Sequence, residues 1–424
     1  MRLHCNFLVL VLITLLWSEP AVYAQETIDL KEAHTQALRY NHDLKNLQET
    51  MQQAEISIQR AWSILLPSVS LSGTITRNDE AIANIKDQWT KSASLSGSMM
   101  LFSPKSIPLI INAHKGSKAT ELSVDHAKSE LLFGVTSAYY ATVQAKKFLM
   151  IAKKNLERSE EYVKLAEARK KAGQAIRVDV LRAEMEKADA ESAIIDAEGA
   201  YKLALQGLGF LIGKDEFEVP DSIESKTVKL GNKQQMLDHA LDNRLDLKAS
   251  KMQVAIAKRA EIQSWVSFLP DFLMQGSYDW TDATSPFTGN KTESWRLMFI
   301  ANWPIFDGGA KIADARQNHS LYAQSKINND KLEKEISNKV KEALIKLEQA
   351  NAKYNSSLKK QELAKENYSL VKQQYELGLV DNLAMVDAST SLLQADQSLI
   401  LAELSYKLAE LSLQQASGFY IKVR

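Results

Sequence analysis

The groups with which this 424-residue chain could bind metal or move protons are seven histidines, one cysteine and 52 carboxylates. The histidines are scattered. His34 and His42 stand eight residues apart and His114 and His126 twelve apart, so neither pair has the i, i+3 or i, i+4 spacing that sets two metal ligands on one helical face. Cys5 precedes the first apolar run. It therefore cannot be a lipid acceptor at a cleavage site, and after removal of a leader the chain would hold no thiol, disulfide or thiolate metal site. The carboxylates fall at helix-surface spacing, without the paired setting that general acid–base chemistry needs. Gly308-Gly309 lacks the other positions of a phosphate-cradling loop. What remains are carboxylates close to two glycines: Asp179 six residues after Gly173, and Asp381 and Asp387 three and nine after Gly378. Brought together in several copies, Asp179 or Asp387 would form rings that repel one another and attract cations. Equally, they could be first-turn residues stabilised by a helix dipole. The chemistry on offer is electrostatic, not catalytic.

The elements that carry these residues are unusual in length. From Lys105 to Ala172 no proline occurs beyond Pro108. Small and apolar residues recur at Leu131, Val135, Ala138, Thr142, Ala145, Leu149, Ala152, Leu156, Ser159, Val163 and Ala166, the four-three spacing of a coiled coil. At ~1.5 Å per residue this predicts a helix about 100 Å long. Adding 205 to each number gives Ile336, Val340, Ala343, Leu347, Ala350, Tyr354, Ser357, Gln361, Ala364, Tyr368 and Val371, so the pattern is duplicated. Each long helix ends at its glycine, Gly173 or Gly378, as a left-handed C-terminal turn requires. A return helix follows each. In the second copy its expected seam is Val386, Leu393, Ile400, Leu404 and Leu411, and the return helices end near Gly213 and Gly418.

Ahead of each long helix the period changes. A helical segment from Leu30 to Leu66, matched by one beginning near Met236, ends at Pro67 and Pro270. Then Val69, Leu71, Gly73 and Ile75 alternate with serines and threonines that include Ser70 and Ser72. Ala93, Leu95, Gly97, Met99 and Leu101 alternate with Ser92, Ser94, Ser96 and Ser98. The second copy sets Phe272, Met274, Gly276, Tyr278 and Trp280 against Asp271, Gln275, Ser277 and Asp279. It returns with Trp295, Leu297, Phe299, Ala301 and Trp303 against Ser294, Arg296 and Asn302, with Met298 and Ile300 breaking the polar side. Two readings of these four strands are open. They are either hairpins over a water-soluble core, or transmembrane strands, which need ~9–11 residues with apolar-out, polar-in alternation and interfacial aromatics. In the second reading Ser70, Ser72, Ser94, Ser96, Gln275 and Ser277 face a wet lumen. Leu71, Leu95, Met274, Trp280, Trp295 and Trp303 face lipid. Four strands cannot close a barrel, and lipid tolerates no open edge, so spanning strands demand several copies.

The balance of 52 basic and 52 acidic residues excludes a polybasic nucleic-acid footprint. Arg2, the apolar run Phe7 to Trp17 and Val22-Tyr23-Ala24 have the form of a secretory signal over 1–24. The expected organisation is then a first repeat over 25–213, a linker over 214–235, a second repeat over 236–418 and a tail over 419–424.

The order of helix, strand, strand, very long helix, glycine turn and return helix, twice over, resembles the TolC-type outer-membrane efflux proteins. Supporting motifs are Trp303-Pro304-Ile305-Phe306-Asp307-Gly308-Gly309, Tyr375-Glu376-Leu377-Gly378-Leu379 followed by Leu383 and Val386-Asp387-Ala388, and Gly173 through Val178-Asp179-Val180-Leu181. The resemblance covers nearly the whole chain. It implies a mainly α fold with a membrane β-barrel: a homotrimer whose twelve strands close in the outer membrane of a Gram-negative bacterium and whose helices continue as a periplasmic tunnel. It also implies an exit duct for a tripartite efflux pump or type I secretion system, with no cofactor. A periplasmic adaptor and an inner-membrane pump would dock at the far end, around Gly173, Gln174, Asp179, Leu181, Gly378, Leu379, Asp381 and Asp387. The first junction, Leu101-Phe102-Ser103-Pro104-Lys105, departs from the pattern by lacking Asp-Gly-Gly, and position 384 is Ala where relatives can carry Asp. The residues alone leave two other classes in play: a periplasmic coiled-coil scaffold with soluble hairpins, and a solute-specific porin, which the extent of coiled coil disfavours.

Overall fold

The computed structural model describes residues 27–77, 89–222, 232–282 and 293–420. The expected leader and Cys5 lie outside the described residues, as do part of the expected linker and the last residues of the tail. The first half runs α1 (Leu30–Tyr40), α2 (His42–Ser63), β1 (Ser68–Arg77), β2 (Trp89–Phe102), α3 (Ser106–Lys171) and α4 (Arg177–Ile212). The second runs α5 (Lys233–Asn243), α6 (Leu245–Val266), β3 (Asp271–Thr281), β4 (Glu293–Asn302), α7 (Ala310–Glu376) and α8 (Asn382–Ala416). The segment expected as one helix over 30–66 is thus two. Asn41 leaves the helical region with ψ 126° and its side chain accepts from the Leu44 amide, capping α2. Arg244, 203 residues on, breaks the second copy in the same way with ψ 128°.

The two long helices, 66 and 67 residues, are the frame. None of the eleven heptad positions on either is exposed, and Val135, Thr142, Ala152, Ser159 and Ala166 are buried, as are Ile336, Val340, Ala343 and Ser357. Their overall amphipathicity is weak because a helix packed on several neighbours along its length has no single wet face. Each copy has a small apolar cluster where its short helices meet the long pair. Ile28, Ala33, Ala37, Val135, Tyr139, Val143, Leu208 and Ile212 form one, and Met236, Ala240, Leu247, Ile336, Val340, Ala343 and Leu413 the other. A third cluster lies at the opposite end, at the two glycine turns.

In α8 the buried line is Met385, Ala388, Leu392, Ala395 and Ala402, one residue off the expected seam, of which only Ile400 and Leu411 are buried. The helix packs on α7 and on α3 at once, so it carries two stripes, and the alanines of the tighter one are too small to stand out in the sequence.

The four strands form one antiparallel sheet in the order β1-β2-β3-β4, so β1 and β4 are open edges. The register sets Ser70 opposite Ser96, Ser72 opposite Ser94, Ser96 opposite Ser277 and Ser98 opposite Gln275. Leu71 lies opposite Leu95, Leu95 opposite Tyr278, and Tyr278 opposite Trp295. Because side chains alternate faces along each strand, one face of the sheet collects the serines and the other most of the large apolar groups, with Leu273, Met298 and Ile300 interrupting the polar face.

Candidate functional site

Two sites emerge, the sheet and the tip. On the polar face the hydroxyls are spent on one another: Ser68 and Ser98 Oγ are 2.8 Å apart, as are Ser70 and Ser96 Oγ. Ser94 and Ser277 both donate to Asp279, at 2.5 and 2.9 Å. Hydroxyls paired this way keep acceptor lone pairs free for water, so the face is wettable. On the apolar face Leu71 is 78% and Trp295 77% exposed, with Phe299 and Leu297 also bare. So extensive an exposed apolar surface marks a contact with lipid or protein. Trp280 and Met274 stand on the same face. Trp303 lies one residue past β4, its indole N–H donating to the Phe268 carbonyl at 3.0 Å.

The passage from strand to long helix differs between copies. Gly308 and Gly309 both take positive φ, 74° and 91°, which frees the Asp307 carboxylate to accept the amides of Gly309 and Lys311 at 3.1 Å each. This caps α7. The first copy, without Asp-Gly-Gly, is held to β3 instead. Ser103 Oγ and Lys105 Nζ both donate to the Asp271 carboxylate at 2.7 Å.

At the tip, Gly173 and Gly378 take φ 75° and 74°. The Gly173 and Gln174 amides reach back to the Lys170 and Arg169 carbonyls, and those of Gly378 and Leu379 to Tyr375 and Gln374, the paired bonds of a Schellman turn. The two return helices are then capped by different residues. Asp179, third in α4, accepts the Ile176 amide at 3.1 Å, whereas Asp381 is the N-cap of α8 and accepts the Ala384 amide at 3.0 Å. Asp387 is the sixth residue of α8, beyond the first turn, and exposed. The helix-start reading therefore accounts for Asp179 and Asp381 but not for Asp387. Leu181 and Leu379 are exposed, as are Ile176, Val178, Leu377 and Leu383, so the tip ends in an apolar rim.

Beneath that rim lies a set of residues that the sequence did not single out as a unit. The Tyr162 and Tyr375 rings meet at 5.9 Å, and the Arg169 guanidinium sits 4.3 Å over Tyr375. Burial pushes both phenols above their usual range. Lys372 reaches Glu161 at 2.6 Å, and Arg158 reaches Asp396 at 3.6 Å. The two hairpins are thereby clasped side by side. No group of three or more metal-ligating side chains occurs among the described residues, and no described helix is long and apolar enough to cross a membrane.

A family model described as outer membrane efflux protein matches residues 34–214 and 236–419. Nodulation protein T of Rhizobium leguminosarum bv. trifolii is 23% identical over 377 residues, 84% of this chain and 78% of that protein. Among solved structures, CusC, described as undergoing conformational changes on folding and transmembrane channel formation, superimposes with a TM-score of 0.80 at 19% identity, covering 93% of each chain. The Campylobacter jejuni CmeC outer membrane channel gives 0.78 at 18% identity over 92% of this chain and 85% of its own. The open state of the Neisseria gonorrhoeae MtrE outer membrane channel gives 0.76 at 20% identity, over 92% and 88%. At these identities the structures share the fold.

Proposed function

The chain belongs to the outer membrane efflux protein family, and from that premise we propose that it is the passive exit duct of a tripartite efflux pump or type I secretion system. Three copies contribute four strands each to a twelve-stranded barrel in the outer membrane, and the long helices continue as a tunnel through the periplasm. The observation that carries this reading is the separation of faces on the sheet: a hydroxyl-rich face over β1, β2 and much of β3, interrupted by Leu273, Met298 and Ile300, and a lipophilic face on a sheet with two open edges. Lipid admits strands only when every backbone group is paired, which a closed barrel achieves. Membership of a channel family, rather than any missing motif, sets enzymatic function aside.

Cysteine labelling in isolated membranes tests the assignment. Cysteines replacing Ser70, Ser94 or Ser277 react with a water-soluble maleimide, while those replacing Leu71, Leu95 or Met274 are protected, because a one-residue shift exchanges water for hydrocarbon. Equal labelling of both sets would favour soluble hairpins on a periplasmic scaffold.

An adaptor and an inner-membrane pump engage the apolar rim about 100 Å from the barrel along the helices, and the pump chooses the cargo. In the trimer Asp387 forms a ring of three carboxylates. Asp387→Asn is expected to lower cation preference and block by a multivalent cation in single-channel recordings. Unchanged conductance and block would place the constriction elsewhere.

A further inference from the structure

Away from the helices, the apolar face of the sheet ends in charge on one hairpin and in aromatics on the other. Residues opposite one another in an antiparallel sheet share a face, so the series Leu71, Gly73, Ile75 along β1 runs out at Arg77. Trp89, opposite Arg77, and Lys91, opposite Ile75, stand on the same face of β2. The Arg77 guanidinium carbon lies 5.5 Å from the centre of the Trp89 ring. All three side chains are exposed. Neither cation makes an ion pair among the described residues.

The duplication shows what the fold itself asks of these positions. β3 repeats β1 at 203 residues and β4 repeats β2 at 204, so Arg77 corresponds to Trp280 and Lys91 to Trp295. The second hairpin thus meets the edge of the apolar band with indoles, the usual interfacial side chains. The carboxylates nearby are engaged. Glu293 accepts from the Tyr278 hydroxyl at 2.7 Å, and Asp282 from the Lys91 amide at 2.6 Å. A strand can therefore end here without cations, and the first hairpin has two.

Depth decides what they meet. The helices leave the sheet at its periplasmic end, where the Phe102 and Phe272 rings lie 6.3 Å apart. Lys91 is eleven residues from Phe102 along β2, ~36 Å of strand at ~3.3 Å per residue. With a strand tilt of ~40° this is ~28 Å along the membrane normal, against an apolar band about 25 Å tall. Lys91, and Arg77 beyond it, therefore stand at the head groups of the outer leaflet, where a cation on the lipid face costs little.

Resting on the channel reading, we propose that Arg77 and Lys91 bind a phosphate of lipid A, the phosphorylated glucosamine lipid of that leaflet. The guanidinium offers a planar fork to two phosphate oxygens, and the ammonium adds a point charge. Trp89 orients the guanidinium, while Ile75 and Leu71 lie along the acyl chains. Charge selects the ligand. A zwitterionic phospholipid carries its own ammonium beside its phosphate, whereas two bare cations complement the uncompensated phosphate of lipid A.

The full-length trimer, purified from outer membranes in mild detergent and stripped of lipid, tests this with defined lipids and native mass spectrometry. Lipid A bearing both phosphates is expected to bind. Arg77→Gln and Lys91→Gln should each weaken it roughly fivefold, and together about thirtyfold. Arg77→Lys, which keeps the charge, should lose less than Arg77→Gln. Lipid A stripped of phosphate should bind the parent and the double variant alike. Equal binding of phosphorylated lipid A by parent and double variant overturns the site. Phosphatidylethanolamine or phosphatidylglycerol binding as tightly as lipid A overturns the choice of ligand. The double variant should still fractionate with outer membranes as a trimer, which separates lost binding from lost assembly. A parent chain absent from that fraction would instead overturn the channel reading on which the site rests.

Discussion

Gly378→Trp is expected to abolish export from cells while leaving the trimer and membrane insertion of the proposed channel intact. Gly378 holds φ at 74°, where an L-residue costs roughly 1–2 kcal/mol, and that conformation lets the Gly378 and Leu379 amides close α7 on the Tyr375 and Gln374 carbonyls. A Cβ there would come within 3.6 Å of Arg169 Nη2. The indole beyond it cannot keep to the same path without displacing the guanidinium that stacks on Tyr375. The turn, the clasp between hairpins and the rim of Leu377, Leu379 and Leu383 are disturbed together. The strands lie at the other end of a 67-residue helix, so the sheet is expected to fold as before. Efflux of a fluorescent substrate, read beside the native mass of the purified complex, checks both halves. Gly378→Ala, which keeps the backbone strain and omits the indole, is expected to export at an intermediate rate. Undiminished export by Gly378→Trp would show that the second turn takes no part in docking.

Much of this architecture was legible because its signals are repeated and long. The heptads of α3 and α7 hold over eleven positions apiece. The serine alternation was strict in β1 and β2, weaker in β3 and broken in β4 by Met298 and Ile300, so the observed register aligned patterns already present. Local breaks were harder to read. Asn41 ahead of His42-Asp43 is a capping signal that a continuous apolar period overrode, and Arg244 gives no such signal, since its side chain is held by a local bond to Asp246 and a tertiary one to the Ala416 carbonyl. The cap of α4 was hidden because Asp179 reaches back from the third position while α8 uses its N-cap, so two equivalent turns carry no common residue for the task. The tip clasp was the largest omission. Tyr162 and Tyr375 are 213 positions apart, and nothing local says that the two hairpin ends lie side by side. One trace existed: Tyr354, Gln361 and Tyr368 step by seven, and Tyr375 is the next step.

That step is where the tip is held, and Tyr375→Ala is expected to open it. Tyr375 is 1% exposed, the largest of the fully buried side chains, and it lies between Tyr162, Ala166, Val180 and Met385. Truncating a buried aromatic costs ~3–5 kcal/mol through lost transfer and the cavity left behind, and the Arg169 guanidinium loses the ring it covers. The loss stays local. Val143, in the cluster near the middle of α3, is nineteen residues or ~28 Å of helix from Tyr162. Segments with few shared contacts open independently. Native-state hydrogen exchange should therefore show amides of Lys170–Val180 and Gln374–Leu383 losing about 100-fold protection or more, at ~1.4 kcal/mol per factor of ten, while those of Val135–Val143 and Ile336–Ala343 are unchanged. Tyr375→Phe keeps the ring and should leave protection nearly unchanged, since the buried Tyr375 hydroxyl has no hydrogen-bond partner to lose among the described residues. If Tyr375→Ala lowered protection equally at both places, the tip would not be a separate cooperative unit, and the long helices would transmit its loss to their middle.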